Sequence, residues 1–329
     1  MYIKSRREKK QDKWRMISDM LINKAIFYED RDEIEDQIIA SVMTAAQELI
    51  VNRHFRKFVA QELVSAKKNI SGASADSLKQ FYLQLGLDKY ALRNLDSRQW
   101  YVRAEAIQEL TIMHTDEFIG QLHIHTNDKN EYVRMEAQAA MVQFKGFEGL
   151  NFLDDIGYPL SNWQQIKLLQ LLSLKPPSTI SMDKWFKSTN NTVVIFALKL
   201  TRNYRRFELH DAITECLDHE DADVRYEAIR CLNEIYTDET SDHLIARFLQ
   251  QGLKHQVAIA RAMQNVGSKK DEMFLFDLLT HESDELKLHA ARALANASQD
   301  GLLSLEQYSK ESEEAIGQIL MHIKGENAA

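Results

Sequence analysis

A short pattern of residues recurs along the chain at a nearly constant interval. YVRAEAIQEL begins at Tyr101, and YVRMEAQAAM begins at Tyr132, 31 residues later. Further copies follow at intervals of 29 to 32 residues, each centred on one small or apolar residue, at Ala106, Ala137, Leu168, Ala197, Ala228, Ala260 and Ala290. A structural building block recurs at fixed spacing, whereas a binding motif seldom does. The sequence therefore predicts a repeat protein.

Each unit contains two amphipathic stretches joined by a polar turn. Stretches such as ELHDAITECLDH precede the pattern and space their apolar residues three and four apart, which is typical of helices. The turns NDKN, EDAD and ESDE offer Asp, Asn and Ser as helix caps. Only 11 glycines and 3 prolines occur in 329 residues, so little interrupts regular structure. We predict an all-α fold, an α-solenoid of stacked helical hairpins with a continuous core.

These units resemble HEAT repeats, in particular the short bacterial variety also found in phycobilin-lyase-like proteins. The signature of that family is an acidic turn followed by Val-Arg-x-x-Ala-x-x-x-Leu, and both NDKNEYVRMEAQAAM and DHEDADVRYEAIRCL match it. The third, fourth and sixth units lack the Arg and match mainly by spacing. The resemblance covers about residues 76–300. It implies a right-handed, curved α-α superhelix of about seven to nine helical pairs.

The sequence predicts four segments. Residues 1–30 form a basic N-terminal arm or helix, and residues 31–95 form N-terminal capping helices. Residues 96–300 hold the HEAT-like repeats of about 31 residues, and residues 301–329 form C-terminal capping helices, because terminal repeats must present a polar outer face. Within the first cap, SGASADS is a break, after which a helix runs from about Leu78 to Leu95 with Asp76 or Ser77 as its cap.

The first 15 residues differ in charge from the rest of the chain. They carry +5, whereas the whole chain carries −8, so the remainder carries −13. Three hypotheses stand for this segment: a solvated helix start or arm, a juxtamembrane segment whose span lies upstream of Met1, or direct contact with anionic lipid or nucleic acid. The candidate residues for membrane or anion contact are Lys4, Arg6, Arg7, Lys9, Lys10, Lys13 and Arg15.

Composition indicates a cytoplasmic protein, alternatively one held at the cytoplasmic face of a membrane. No apolar run approaches the ~20 residues that a membrane span needs, and no signal-peptide pattern is present. Cys216 and Cys231 form neither a CxxC pair nor a disulfide framework, which favours a reducing compartment and small core residues.

The sequence contains no motif on which an enzymatic activity would rest. It lacks a phosphate loop, GxSxG and HExxH. His123 and His125, with His114 upstream, raise the question of a metal, but histidines two apart on a helix point to different faces and a third ligand at usable spacing is missing. We therefore expect no catalytic residue, no cofactor and no metal.

The second stretch of each unit supplies the candidate partner-binding residues. We expect Arg103, Arg134, Arg225 and Lys287 to reach turn carboxylates of neighbouring units, with ligand contact as the alternative. Glu105, Glu136 and Glu227 are their partners or a solvent-facing ridge. Most aromatic residues near these stretches should be packing residues, while Trp100 and Tyr226 are candidate anchors on the concave surface. The set is Trp100, Arg103, Glu105, Arg134, Glu136, Arg225, Tyr226 and Glu227.

Together these features favour a non-catalytic protein–protein interaction scaffold that uses the concave face of the solenoid. The acidic body suggests an unidentified protein partner with a basic or mixed face. One alternative is a nucleic-acid-binding or DNA-repair HEAT-like protein, which needs a basic groove that this acidic chain does not indicate. The others are a phycobilin-lyase-like enzyme and a structural spacer.

Overall fold

The computed structural model describes residues 2–26, 33–175, 181–298, 300–311 and 314–327. Over these ranges the chain is all-α, with nineteen α-helices, several short 3-10 helices and no β-strand. In chain order the α-helices are α1 Tyr2–Ile26, α2 Glu33–Leu49, α3 Arg53–Lys68, α4 Ala73–Gln84, α5 Leu87–Leu95, α6 Trp100–Ile112, α7 Ile119–Ile124, α8 Glu131–Lys145, α9 Asn162–Ser173, α10 Asp183–Phe186, α11 Asn191–Asn203, α12 His210–Glu215, α13 Ala222–Leu232, α14 Thr240–Arg247, α15 Leu253–Val266, α16 Glu272–Leu278, α17 Asp284–Ala297, α18 Gly301–Glu311 and α19 Glu314–Asn327.

The helices group into two compact units. Unit 1 comprises Met1–Phe152 and Ile166–Ser178, and unit 2 comprises Leu153–Gln165 and Thr179–Ala329. Within unit 1, α6 packs on α5 and on α8. Within unit 2, α11, α13, α15 and α17 pack on one another in sequence. Stacking of equivalent helices in chain order is the arrangement of a helical-repeat solenoid.

One helix of each repeat carries the recurring pattern, and we call these helices the second helices: α6, α8, α9, α11, α13, α15 and α17. The small or apolar central residue of each pattern is at most 2% exposed, at Ala106, Ala137, Leu168, Ala197, Ala228, Ala260 and Ala290. A larger side chain at the alanine positions would force adjacent helices apart, because protein interiors are close-packed. The predicted spacing of the repeats is confirmed.

The polar turns cap the second helices, as their composition predicts. The side chain of Asn130 accepts hydrogen bonds from the first backbone N–H groups of α8, and Asp221 does the same for α13. Ser283 accepts from the N–H of Leu286 in α17. Each cap satisfies donors that have no partner within the helix, which fixes where the second helix begins.

The helices that precede the second helices are shorter than the sequence predicts. Residues 116–127 form two 3-10 turns flanking the six-residue α7, and Gly146–Asp154 is 3-10 throughout. In that segment a Cβ on Gly149 would lie 2.2 Å from the carbonyl oxygen of Met141, so only glycine permits this close approach to α8. A spacing of three and four is compatible with both helix types, so periodicity alone does not separate them.

The N-terminal segment is a helix that contributes to the core of unit 1. Ile17, Leu21 and Ala25 on α1 are buried among residues of α2, α3 and α4. The Trp14 ring meets the Phe55 ring edge-on at 5.7 Å between centroids. Of the two alternatives predicted for residues 1–30, an arm or a helix, the helix describes Tyr2–Ile26, and its second half is packed in the core. No helix formed by the described residues is both long and apolar enough to cross a membrane.

The helix predicted from about Leu78 to Leu95 is divided into α4 and α5. Gly86, at the junction, has a φ of 64°, in the left-handed region that favours glycine. The cap of α4 is Gly72, so the prediction of Asp76 or Ser77 as the cap is wrong by one turn. At the other end of the chain, α18 and α19 pack against α17.

Candidate binding groove

The arginine of the repeat pattern is a structural residue in the first two repeats. Arg103 donates from Nε and Nη2 to the two carboxylate oxygens of Asp128, at 3.0 and 2.9 Å, and both side chains are almost fully buried. Asp128 lies in the turn of the next repeat, as predicted. Arg134 donates from Nη1 to the backbone carbonyl of Asp128 at 2.7 Å. The Arg103–Asp128 pair therefore links consecutive repeats, whereas Arg134 contacts the turn of its own repeat, so the predicted contact with a neighbouring carboxylate is wrong for Arg134. Both guanidinium groups are buried, which removes them from a binding surface.

In later repeats the predicted contact with a turn carboxylate is not made. Arg225 donates to the side-chain oxygen of Gln251 at 3.1 Å and to the backbone carbonyl of His219 at 2.8 Å. Lys287 pairs with Asp284, three residues earlier on its own helix, at 3.4 Å. The prediction is wrong for Arg225 because an amide, Gln251, occupies the equivalent turn position. It is wrong for Lys287 because the carboxylate of Asp284 on its own helix is nearer.

The glutamates of the pattern do not pair with those arginines. Glu105 accepts from Lys57 and Gln61, each at 3.0 Å. Glu136 accepts from Lys167 at 3.1 Å. Glu227 is buried in unit 2. None of the three forms the free solvent-facing ridge that was considered.

Most aromatic residues at the starts of the second helices are exposed, contrary to the packing role expected of them. Trp100 is 43% exposed and stacks on Tyr132 at 5.1 Å between centroids. Tyr101 meets Trp100 edge-on at 6.0 Å, and Trp163 is 66% exposed. Only two of the seven aromatic residues near these stretches, Trp185 and Phe196, are buried, and the other five are Trp100, Tyr101, Tyr132, Trp163 and Tyr226. Trp100 thus belongs to a small exposed aromatic cluster in unit 1.

A larger concave feature lies on the second helices of unit 2, and we call it the cationic groove. It is an open cavity of about 650 Å³ lined by residues of α11, α13, α15 and α17. The lining includes Tyr226 and Arg230 on α13 with Asn233 at its C-terminal end, and Lys254, Ala258 and Arg261 on α15. Both sets follow the i, i+4, i+7 spacing of one helical face. The groove is therefore built from the faces that the repeat core leaves uncovered.

A buried carboxylate organises the charges of this groove. Glu227 Oε1 lies 2.7 Å from Nη1 of Arg202 on α11, and its Oε2 accepts from Nη1 of Arg230 on α13 at 3.3 Å. Only 5% of the Glu227 side chain is exposed. No other partner of these two guanidinium groups occurs among the described residues. Their remaining N–H donors are available to a ligand, because each guanidinium carries five.

Cations outnumber carboxylates in the groove. Arg202, Arg230, Lys254 and Arg261 line it together with two glutamates, Glu234 and Glu285. Even when Glu227 is counted, four cations face three carboxylates, so the net charge of the groove is positive. The inference of a basic or mixed partner face, which rested on the acidic composition of the whole body, does not describe this surface.

Tyr226, predicted as an anchor, lines the cationic groove. Its ring meets the buried His255 edge-on at 5.7 Å, and Nζ of Lys254 lies 4.4 Å from the ring centroid. Leu253 lies beside it in the lining and is 51% exposed. The ring is held in place on one side and remains half-buried, so the groove offers an apolar contact next to its cations.

His289 closes the groove on the α17 side. Its Nδ1 lies 2.9 Å from Nε2 of Gln264, so Nδ1 accepts this hydrogen bond. Burial, followed by the charges of Arg292 and Arg261, lowers the pKa of His289 below its ordinary value. The imidazole is therefore neutral at physiological pH and adds no charge to the lining.

The structure describes only part of the basic N-terminal set. Lys13 and Arg15 lie on α1 and are exposed. The backbone of the first ten residues is helical from Tyr2, but the side chains of Lys4, Arg6, Arg7, Lys9 and Lys10 lie outside the described residues. Their contact with lipid or nucleic acid stays a prediction.

Among the described residues, no three His, Cys, Asp or Glu side chains are grouped to hold a metal ion. Cys216 and Cys231 are buried and unpaired, as predicted. Burial raises the pKa of both thiols to about 12, so neither presents a thiolate at neutral pH.

The main residues of the groove lie outside the recurring sequence pattern. Arg202, Arg230 and Arg261 stand outside the Val-Arg-x-x-Ala signature, on which the candidates were chosen. A sequence feature that could identify them lies on the face of each second helix opposite the buried alanine, where polar residues recur at i, i+4 and i+7. The burial of Glu227 between two arginines has no such signal, because it depends on how α11 approaches α13.

No protein-family model and no curated protein sequence matches the chain. Solved structures of HEAT-repeat proteins do resemble it. Kap121p is 10% identical with a TM-score of 0.37 over 95% of this chain and 37% of that one, so the chain spans little more than a third of its length. The CpcE–CpcF complex of phycocyanin lyase from Nostoc sp. PCC7120 is 13% identical with a TM-score of 0.28 over 85% of this chain and 94% of that one. A structure concerning tubulin recruitment and assembly by microtubule polymerases with TOG domain arrays is 10% identical with a TM-score of 0.28 over 94% of this chain and 84% of that one. Similarities at these identities and TM-scores carry no argument about the activity or partners of this chain.

Proposed function

We propose that the protein is a non-catalytic, cytoplasmic interaction scaffold whose cationic groove binds an acidic segment of a partner protein. The observation that carries the proposal is the pair of arginines, Arg202 and Arg230, fixed by the buried Glu227 in an open groove. Two guanidinium groups held in place lose little side-chain entropy when they bind, so a carboxylate meets a preorganised site.

The chemistry of the groove favours carboxylates next to an apolar side chain. Hydrogen bonds between a guanidinium and a carboxylate contribute about 1.5–3 kcal/mol each. Tyr226, Leu253 and Ala258 provide apolar contact beside them. An extended acidic segment with one apolar or aromatic residue would use both features across successive repeats.

A nucleic acid fits this surface less well. Phosphate backbones require a series of cations with few interruptions, because each neutralised phosphate contributes to affinity. Here Glu227, Glu234 and Glu285 alternate with the basic residues. An enzymatic function is not favoured either, because the groove has no nucleophile paired with a general base.

The proposal is tested by cross-linking from inside the groove. A photoreactive amino acid replaces the exposed Leu253, and in a matched control it replaces Leu303 on α18, which is 56% exposed and lies outside the groove. We expect the Leu253 position to capture one protein and the cross-linked peptide to be rich in Asp and Glu. Equal capture at both positions would contradict a groove-specific interaction.

Affinity measurements with the purified partner complete the test. We expect Arg230→Glu to weaken the complex at least tenfold, whereas Lys310→Glu, an exposed charge reversal elsewhere in unit 2, leaves it unchanged. A complex insensitive to Arg230→Glu would refute the role of the groove. Stoichiometric, salt-sensitive binding of duplex DNA without a protein partner would favour the nucleic-acid alternative, and no partner at all would favour a spacer.

A further inference from the structure

Unit 1 contains a second cavity, separate from the cationic groove. It is open, has a volume of about 530 Å³ and lies between α3, α5 and α6. Its apolar lining includes Phe58, Leu87, Tyr90 and Val102. The volume falls within the range of small-molecule sites in proteins, and apolar walls with a few polar groups are their usual composition.

Cations surround the mouth of this cavity. Arg53 and His54 are exposed in the first turn of α3, and Lys57 follows one turn later. The guanidinium of Arg56 lies 3.8 Å from the centroid of the Tyr90 ring and donates to the carbonyl of Ile50 at 3.2 Å. No partner of Arg53 occurs among the described residues, so its charge is available at the rim.

The inner end of the cavity holds a carboxyl group. Glu109 on α6 accepts a hydrogen bond from the hydroxyl of Tyr82 at 2.8 Å. Glu105, one turn earlier, is already bound by Lys57 and Gln61. Glu109 Oε1 is therefore satisfied by Tyr82, and no hydrogen-bond partner of Oε2 occurs among the described residues.

The surroundings of Glu109 make its charge state variable near neutral pH. Burial is the largest influence and raises the pKa of Glu109 to about 7. The hydrogen bond from Tyr82 and the charge of Lys57 lower it, while the charge of Glu105 raises it. Around pH 7 a large share of molecules therefore carries a neutral acid at this position, which can donate a hydrogen bond from Oε2.

We propose that this cavity binds a small organic anion with an apolar body, and that Glu109 takes up a proton from solvent when the anion binds. The cations of the rim attract the anionic group, the walls of α3 and α5 cover the apolar body, and the protonated Glu109 donates to it. An ionised Glu109 would repel the same ligand, so binding and protonation are linked.

Other ligand classes fit the cavity less well. A cationic ligand would have to pass Arg53, Arg56 and Lys57 before reaching Glu109. A neutral apolar ligand would leave those cations and the carboxyl group without new partners, so it would gain only from apolar burial. Charge and shape together therefore select an amphipathic anion.

The test uses 8-anilinonaphthalene-1-sulfonate as the probe, with the full chain. The sulfonate keeps its charge between pH 6 and pH 8, so any change in affinity belongs to the protein. If only the protonated form binds, the dissociation constant rises about tenfold from pH 6 to pH 8. In Glu109→Gln, which stays neutral, affinity should be equal at both pH values, and in the matched variant Glu105→Gln the dependence should persist.

His54 is a second ionisable side chain at the rim, so its contribution must be separated. In His54→Gln the pH dependence should remain. If it disappears there and persists in Glu109→Gln, the proton is taken up by His54 and the proposal is overturned. Calorimetry of the unsubstituted chain in two buffers of different ionisation enthalpy measures proton uptake directly, so the result does not depend on whether Glu109→Gln folds.

Two variants of residues at the rim test whether the probe binds in this cavity. Asn94→Trp, at an exposed lining residue, should block binding, and Arg53→Glu should weaken it about tenfold or more. Arg98→Glu, exposed in unit 1 outside the cavity, and Arg230→Glu, in the cationic groove, should leave affinity unchanged. Binding that survives Asn94→Trp, or equally tight binding of neutral 1-anilinonaphthalene, would refute the proposal. The Arg230→Glu result separates this site from the proposed scaffold function.

Discussion

The pair of Arg103 and Asp128 shows how one contact joins two repeats. Burial alone would raise the pKa of Asp128, but the hydrogen bonds from Arg103 and from the N–H of Asn130 outweigh it, so its pKa lies below the usual range. A carboxyl group with a lowered folded-state pKa stabilises the fold above its unfolded pKa of about 3.9. That stabilisation is lost as the pH falls through the folded pKa.

We therefore predict that Asp128→Asn lowers the free energy of unfolding by about 3 kcal/mol at pH 7, because it leaves a buried guanidinium without its counter-charge. The difference from the unsubstituted chain should shrink below about pH 4. Urea unfolding followed by circular dichroism at pH 7 and pH 3 measures it, with the exposed Asp19→Asn as control. A difference that is the same at both pH values would show that the charge of Asp128 is not responsible.

At this scale the sequence predicts a contact when the partner occupies the expected turn position. Asp128 does so for Arg103, and the contact is made as predicted. For Arg225 the corresponding position holds Gln251, so the same arginine finds an amide and backbone carbonyls. The burial of Glu109 and Glu227 could not be predicted, because it depends on how the neighbouring helices pack against α6 and α13.

At the scale of single helices, caps decide where the second helices begin. We predict that Asn130→Ala and Asp221→Ala each cost about 1 kcal/mol of stability, since each side chain accepts from two backbone N–H groups. Lys129→Ala, an exposed substitution beside Asn130, is the control and should change stability by less than about 0.5 kcal/mol. Thermal unfolding of the three variants measures these differences. If the control destabilised the chain as much as the cap variants do, the capping role would be contradicted.

Two glycines form a matched pair for backbone conformation. A Cβ on either Gly86 or Gly120 meets nothing within 4 Å, but only Gly86 has a positive φ. Gly86→Ala should therefore destabilise the chain by about 1 kcal/mol, because alanine is strained in the left-handed region. Gly120→Ala, within α7, should stabilise it by up to about 1 kcal/mol. Equal effects in denaturant unfolding would mean that φ does not control the junction between α4 and α5.

The existence and spacing of the second helices could be predicted, whereas the length of the helices before them could not. The second helices have an alanine at a fixed position, polar caps and apolar residues on one face. The preceding stretches have only apolar residues three and four apart, a pattern that 3-10 turns share. The close approach at Gly149 depends on the backbone of Met141 in a neighbouring helix, which periodicity does not encode.

For the whole molecule, these unequal helices predict an uneven distribution of local stability. Amides of α6, α8, α11, α13, α15 and α17 should exchange hydrogen slowly, because these helices are longer and each packs on a neighbouring second helix. Amides of residues 116–127, 146–154 and 207–218 should exchange faster. Hydrogen–deuterium exchange with mass spectrometry measures both classes in one experiment. Similar protection in the two classes would indicate that the preceding segments are as stable as the second helices.

The net charge of the chain does not describe the charge of the proposed binding groove. The chain carries −8, and the part after residue 15 carries −13, yet the cationic groove has a positive balance. Net charge sums over all faces, whereas a partner meets one of them. The face can be identified from sequence only after the repeat phase fixes which residues of each second helix are buried.

The ion pairs of Glu227 with Arg202 and Arg230 also limit which changes to the repeat array can be tolerated. Arg202 belongs to one repeat, while Glu227 and Arg230 belong to the next, so the charged centre of the groove spans a repeat boundary. Deleting or exchanging a single repeat at that boundary would leave the buried carboxylate without an arginine partner, or leave an arginine without its carboxylate. Transplantation of this charged centre into another helical array would therefore require α11 to α13 together, and the complete groove would require α11 to α17.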